Sequence, residues 1–153
     1  MDVKYINPFI AGFLNVCSML GLAGLQRTGL VKRAKLQTVK DVNVIIGLAG
    51  DIKGNVVLSM PESTACNIAS TMMGGMPVAQ FDLMPKSALC ELANMAAGNS
   101  VSRFEELGLL VNITPPTLVN GKKVISLVSQ VETLAIQFNG TQGTLELNVA
   151  LEI

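Results

Sequence analysis

The sequence predicts an α/β fold of the α+β type, with an antiparallel sheet packed against one long helix and two further helices. Three observations predict it. Apolar residues recur at helical spacing in separate segments, strands rich in valine and isoleucine follow one another through short loops, and in each half of the chain a helix and a linker precede hairpin-linked strands. A chain of 153 residues can bury a core of its own, so we expect a single domain over residues 1–153.

The first half is expected to contain two helices and three strands. Asn7 as N-cap and Pro8 at the first helical position predict a helix to about Leu20, which Gly21 ends. Alternating residues at 31–40 predict an edge strand. The other elements are strands Val42–Leu48 and Asn55–Met60, joined by the loop Gly50–Gly54, and a helix from Pro61 to about Met73.

The second half contains the longest predicted helix, from about Asp82 to Leu107 with Gly108 as its C-cap. Two prolines keep residues 113–117 extended. Three strands are then expected, at Val124–Val128, Val131–Phe138 and Thr144–Ile153. The core side of the long helix is predicted to carry Leu89, Leu92, Ala93, Ala96, Phe104 and Leu107.

Composition argues against several classes of function. Eleven basic residues balance 11 acidic ones, whereas nucleic-acid binding requires clustered Lys and Arg. The basic run at residues 32–35 is typical of a solvated strand or loop edge. No apolar run approaches the roughly 20 residues of a membrane span. The N-terminal stretch lacks the features of a signal peptide, so we expect a cytoplasmic protein with reduced cysteines.

Histidine is absent from the sequence, which removes the commonest general base and the commonest zinc ligand. The three cysteines form no CxxC pair, and no glycine pattern matches a phosphate-binding loop. Any chemistry must therefore use carboxylates, amides or groups supplied by a partner, and no metal ligands are predicted.

Glu91 and Asn94 are the candidate pair for such chemistry. Because they are three residues apart on the long helix, they share one face, which Ser87 and Gly98 extend by a turn on each side. By spacing alone the pair is also typical of an ordinary solvated face. Gly98 costs about 0.8–1 kcal/mol relative to alanine in mid-helix. Either close approach of a partner or close packing inside the domain would explain a glycine at this position.

The two halves can be superposed so that residues 8–15 match residues 87–94. Asn15 then matches Asn94, while Gly12 stands at the position of Glu91. Coincidence and common ancestry explain this match equally well. Ancestry would make the fold pseudo-symmetric, with one intact copy of the pair.

A longer pattern surrounds the pair. Residues 87–99 are SALCELANMAAGN, and residues 111–117 are VNITPPT. Together they resemble the signature of the CheC/CheX/FliY phosphatases of bacterial chemotaxis, in which an acidic residue or serine precedes ExxN on a helix and a proline follows downstream. The serine is Ser87 and the prolines are Pro115 and Pro116. INPF at residues 6–9 and TMMGGM at residues 71–76 extend the resemblance, which is closest to CheX.

The resemblance implies a CheC-like fold and hydrolysis of the aspartyl phosphate of a CheY-like response regulator. In this role the amide of Asn94 positions the attacking water, and Glu91 engages the partner. Ser87, Gly98 and Asn99 are assigned to partner binding, although capping or simple exposure explains Ser87 equally well. The chain itself would bind no cofactor, and the phosphorylated receiver domain would supply Mg²⁺. Two subunits would pair through their sheets as a homodimer.

Two other classes of function compete with this interpretation. One is a non-catalytic adaptor that binds a phosphorylated receiver domain, and the other is a structural protein of the flagellar switch. Neither requires Glu91 and Asn94 to occur together, and both residues are present.

Overall fold

Three helices and nine strands form the regular structure of residues 2–38, 40–122 and 125–152, which the computed structural model describes. The helices are α1 (Val3–Met19), α2 (Glu62–Met72) and α3 (Leu83–Glu106). The strands are β1 (Gln26–Arg33), β2 (Leu36–Thr38), β3 (Val42–Gly50), β4 (Lys53–Met60), β5 (Val111–Ile113), β6 (Thr117–Asn120), β7 (Ser126–Ser129), β8 (Thr133–Gly140) and β9 (Gly143–Glu152).

Seven strands form one antiparallel sheet in the order β1-β8-β9-β4-β3-β5, and β6 also pairs with β3. β2 and β7 form a separate antiparallel pair. The central strands β4 and β9 are buried at successive positions rather than at alternate ones. Both faces of the sheet are therefore covered at its centre. The predicted antiparallel sheet is confirmed.

Helices α1 and α3 pack against each other over the sheet. The rings of Phe9 on α1 and Phe104 on α3 meet edge to face, with 5.2 Å between centroids. Phe13 reaches the ring of Phe138 on β8, with 5.3 Å between centroids. Such aromatic pairs add about 0.5–1.5 kcal/mol to the burial of their surface. They fix the position of α3 relative to both α1 and the sheet.

The first helix begins earlier than predicted. Its N-cap is Asp2, whose Oδ1 accepts a hydrogen bond from the Lys4 N–H at 3.0 Å, so Asn7 is not the cap. The side chain of this upstream aspartate already satisfies one of the free N–H groups of the first turn. Pro8 therefore lies inside α1, buried, instead of at its first position. The predicted end is confirmed, since Gly21 has a φ of +79°.

The edge strand predicted at residues 31–40 is in fact two elements. Its first residues complete β1, which starts at Gln26 and pairs with β8 at the edge of the main sheet. Its later residues form β2, which pairs with β7 in the separate sheet. Apolar alternation did not reveal this because it does not encode which partner a strand takes. Residue 39 and the predicted strand ends at Val124 and Ile153 lie outside the described residues.

Most other boundaries agree with the predictions within a few residues. Strands also flank the prolines of the extended segment, since β5 precedes them and β6 follows. Leu107 was wrongly placed on the core side, because α3 ends before it and leaves its side chain 57% exposed. Among the residues described, none of the helices is long and apolar enough to cross a membrane.

A partly buried ion pair connects β1 to β9, with the Glu146 carboxylate buried and the Arg33 side chain 31% exposed. Arg33 donates from Nη1 and Nη2 to the two carboxylate oxygens of Glu146, each at 3.0 Å. Gln137 donates to Glu146 Oε1 at 3.2 Å, and Asn148 Oδ1 accepts from Arg33 at 3.1 Å. The expected solvated strand or loop edge at residues 32–35 agrees with the exposure of residues 32, 34 and 35, whereas Arg33 is half-buried because it pairs with Glu146, 113 residues away in sequence.

This network also determines the ionisation of Glu146. Burial by itself raises the pKa of the carboxyl, but hydrogen bonds from Arg33 and Gln137 and the charges of Arg33 and Lys40 outweigh it and hold the pKa below its usual range. Its contribution to stability is therefore complete above the usual glutamate pKa, and it is lost as the pH falls through the lower folded-state pKa.

We predict that Arg33→Met lowers the free energy of unfolding at pH 7 by about 3 kcal/mol, because it leaves the Glu146 carboxylate buried without its partner. Without the arginine, burial raises the pKa of Glu146 above its usual range, so the variant should gain stability as the pH falls from 7 to 5. Urea unfolding at both pH values measures this slope. Lys32→Met, on an exposed neighbour, is the control. A variant slope equal to that of the wild type would contradict the prediction.

Candidate functional site

The position of α3 follows from its two ends and its buried side. Asp82 is the extended N-cap residue, and Pro85 lies in the first turn, where its missing N–H has no helical partner. The C-cap Leu107 donates to the carbonyl of Phe104 at 2.9 Å, and Gly108 follows with a φ of +78°. One side of the helix is buried against α1 and the sheet. The opposite side of α3 faces outward.

Glu91 and Asn94 are both exposed on that outward side. They line a shallow depression together with Ser87 and Pro116. The hydrogen bonds from side chains of α3 lie farther along the helix, at residues 99–103. The carboxylate of Glu91 and the amide of Asn94 are therefore available to a partner.

Strand pairing brings Pro116 to the helix. Ile113 pairs with Leu48 and Thr117 with Ile45, so three residues of the proline segment lie opposite two residues of β3. The extra residue forms a bulge, which fits prolines because they cannot donate to a ladder. Thr114 anchors the bulge, because its Oγ1 accepts from the Gly47 N–H at 2.8 Å. The proline predicted to belong to the motif is thus brought beside Glu91 and Asn94.

The other predicted partner-binding residues differ in their surroundings. Ser87 is exposed and lies inside the helix, so it does not cap it. Gly98 also faces outward, and a Cβ built there meets no atom of the described residues within 4 Å. Close packing inside the domain therefore does not explain this glycine, and close approach of a partner is the other of the two explanations considered.

Asn99 does not reach the depression. It is half-buried, and its Oδ1 accepts a hydrogen bond from Arg103 Nε at 3.0 Å. At 100° per residue, Asn99 lies about 140° around the helix from Asn94. A role for Asn99 in partner binding remains a prediction that this placement does not support.

Two residues of the depression were missed in the sequence. Lys86 and Cys90 line it beside Asn94 and Pro116. Cys90 is one turn before Asn94, so helical spacing alone could have indicated it. Burial raises the pKa of the Cys90 thiol, which keeps it protonated and a poor nucleophile. The other polar side chains that line the depression are those of Lys86, Ser87, Glu91 and Asn94.

Cysteine chemistry is disfavoured elsewhere as well. Burial raises the pKa of Cys17 to about 12, and burial together with the charges of Glu62 and Asp82 raises that of Cys66. All three cysteines are free thiols. Within residues 2–38, 40–122 and 125–152, no group of three or more Cys, Asp or Glu side chains is placed to hold a metal ion.

The matching segment of α1 offers no second exposed pair. Gly12 is buried against α3, and a Cβ built there would lie 2.6 Å from Ser100 Oγ and 3.2 Å from the Ala96 carbonyl oxygen. Asn15 is exposed, but its amide donates to Met19 Sδ at 3.7 Å. Position 12 has no room for a glutamate while α3 stays in place.

Comparison with known proteins places this geometry in a family. The family profile of the chemotaxis phosphatase CheX matches residues 42–139. A curated relative, the CheY-P phosphatase CheX of Thermotoga maritima, is 35% identical over 129 residues, which cover 80% of this chain and 79% of the relative.

Solved structures agree with this assignment. A CheC-like superfamily protein from Shewanella sp. PV-4 superposes with a TM-score of 0.88 at 24% identity and covers both chains completely. The CheX–CheY–BeF3–Mg²⁺ complex from Borrelia burgdorferi gives a TM-score of 0.80 at 28% identity, covering 99% of this chain and 100% of that one. The predicted CheC-like fold is confirmed.

Substitutions at the two helical glycines are predicted to have opposite effects. Gly98→Ala should raise the free energy of unfolding by about 0.8 kcal/mol, because alanine is the better helix former and its Cβ meets open space. Gly12→Ala should lower it by about 1–3 kcal/mol, because its Cβ overlaps Ser100 on α3. Urea unfolding of both variants checks this. Destabilisation by Gly98→Ala would mean that Gly98 has a structural role in the domain.

Proposed function

This chain belongs to the CheX family of chemotaxis phosphatases, and we propose that it hydrolyses the aspartyl phosphate of a CheY-like response regulator. The observation that carries the proposal is the placement of Glu91 and Asn94, exposed side by side on α3 and next to Pro116. A relative 35% identical to this chain is named a CheY-P phosphatase. Together these observations favour a hydrolase whose site is completed by its protein substrate.

The proposed reaction needs a positioned water more than it needs a base. An acyl phosphate is intrinsically labile, and an oriented nucleophile accounts for much of the catalysis of phosphoryl transfer. The oxygen of the Asn94 amide accepts a hydrogen bond from water, and its N–H donates to a phosphoryl oxygen. The water oxygen attacks phosphorus in line, and the bond from phosphorus to the aspartate oxygen breaks. The products are the aspartate carboxylate and inorganic phosphate, which retains both protons of the water.

Glu91 has a different role in the proposal. Its carboxylate, exposed and about 60° around the helix from Asn94, is placed to pair with a cation of the receiver. The resemblance of the motif implies a lysine beside the phosphoaspartate as that cation. Such a pair fixes the orientation of the two proteins and draws the lysine from the phosphoryl group. We also propose that the receiver supplies the Mg²⁺, since the chemistry takes place on its own aspartate.

The outward side of α3 is suited to close approach of a partner at Gly98. Gly98 presents no side chain, so another backbone can come close to the helix at this position, and nothing inside the described domain requires a glycine there. A mid-helix glycine that lowers stability is retained most simply for such an approach. A receiver operates inside the cell, so we propose a cytoplasmic location for this chain.

We predict that Asn94→Ala lowers kcat for dephosphorylation by about 100-fold, because it removes the group that orients the attacking water. Loss of phosphate from a purified, phosphorylated receiver domain of the same cell measures this. Asn139→Ala, at an exposed asparagine on β8, is the matched control and should retain full activity. Glu91→Ala should chiefly weaken productive binding and raise KM.

The same measurement separates the catalyst from the adaptor. If the wild-type chain binds the phosphorylated receiver without speeding loss of phosphate, the chain is an adaptor and the proposed function is wrong. If Asn94→Ala retains the acceleration, the role given to Asn94 is wrong even though the chain is a phosphatase.

We further propose that two copies pair through their sheets. Strand β1 is an edge strand, and Leu30 and Val31 on it are exposed. An edge strand with exposed apolar residues is a template for pairing with another chain. We expect the chain to sediment at twice its 16.1 kDa mass and Leu30→Lys to shift it toward the monomer. Met19→Lys, at an exposed residue of α1, is the control. A wild-type monomer at micromolar concentration would contradict the pairing.

A further inference from the structure

The N-terminal end of α3 carries two large apolar side chains in solvent. Leu83 is 79% exposed and Met84 is 63% exposed. Exposed apolar residues occurring singly need no explanation, whereas grouped ones mark interaction surfaces. These two are consecutive in sequence and lie on the helix that carries Glu91 and Asn94.

Helical geometry aligns them with the pair. Met84 precedes Glu91 by seven residues, so the two side chains point within about 20° of each other, roughly 10 Å apart along the axis. Leu83 precedes Asn94 by eleven residues, so these two also agree within about 20°, roughly 16 Å apart. Exposed Ser87 lies between them on the same stripe. The outward face of α3 is thus one continuous surface, apolar at its start and polar at the pair.

A protein seated on the pair would cover this apolar end. A stable interface buries about 800 Å² per partner, which corresponds to a patch extending about 16 Å from its centre. Centred on Glu91 and Asn94, such a patch reaches Leu83 and Met84. In the opposite direction it reaches Ser102, which is exposed and polar. The apolar contribution to binding therefore comes from the N-terminal end.

The surface continues from the helix onto the loop before it. Met84 and Pro85 line a groove with Met73, Pro77, Val78 and Asp82. The groove meets the outward face of α3 at Met84 and is lined mainly by apolar side chains. Methionine adapts its shape to different apolar partners.

We propose that Leu83 and Met84 form a docking surface for an apolar patch of the receiver domain, beside its phosphorylated aspartate. This inference rests on the proposed function and specifies which part of α3 selects the partner. Contacts this far from the phosphoryl group are the same before and during the reaction, so they lower KM and leave kcat unchanged. Receivers that carry a charge at the matching place bind less tightly.

The test is a steady-state comparison of the wild-type chain with the double variant Leu83→Ser, Met84→Ser, using phosphorylated receiver as substrate. We expect KM to rise about tenfold or more as two apolar contacts are lost, with kcat within twofold of wild type. Leu110→Ser changes a side chain that is 69% exposed but lies outside α3, and it should leave both constants unchanged. Far-UV circular dichroism checks that both variants are folded.

Two results would overturn the inference. They are an unchanged KM in the double variant, whether or not kcat falls, and a change in the sedimentation of the chain alone. The last would assign the surface to contacts between copies of this chain.

A separate binding measurement distinguishes this inference from the proposed function. A receiver loaded with beryllium fluoride and Mg²⁺ mimics the phosphorylated state and cannot turn over. If the wild-type chain binds it but does not accelerate phosphate loss, the proposed function fails while the docking surface is still tested. A tenfold rise in Kd for the double variant then supports the surface, and an unchanged Kd overturns it.

Discussion

The close contact between α1 and α3 is the constraint on which the rest of the structure depends. Gly12 lets the helices approach until Ser100 and the backbone of α3 occupy the space where a Cβ would lie. Phe9 and Phe104 close the same contact. Because this side of α3 packs against α1 and the sheet, its opposite side must face solvent. Exposure of Glu91 and Asn94 is therefore a consequence of packing at a glycine on another helix.

The site is built from two parts of the fold that meet at the surface. One is the outward side of α3, and the other is the proline bulge that β3 holds through Thr114. Neither part contains a histidine or a reactive thiol. A surface of this kind suits a reaction in which the substrate protein brings the labile bond, since the chain then needs only to orient a water and bind its partner. The buried side of α3 therefore contributes to stability, whereas its outward side carries the residues of the site.

Local patterns determined most elements of the fold. The hairpin of β3 and β4, the limits of α3 and the spacing of the Glu91–Asn94 pair follow from turn residues, caps and periodicity, which act over a few residues. Errors arose where two local signals competed or where the partner was distant. Asp2 capped α1 although Asn7 had the right chemistry, and the pattern at residues 31–40 was divided between two sheets.

By itself, the sequence determined that one helix carries an acid and an amide on one face and that histidine chemistry is excluded. It also determined that the pattern of residues around this pair resembles a phosphatase family. Tertiary structure alone decided that Pro116 meets the pair, that Gly12 faces α3, and that Arg33 is paired with Glu146. Strand register and helix packing bring together residues far apart in the chain, and the periodicity of a single sequence does not encode these contacts. The residue types of the site are encoded in a short segment of the sequence, whereas the residues that surround them in space are determined by the whole fold.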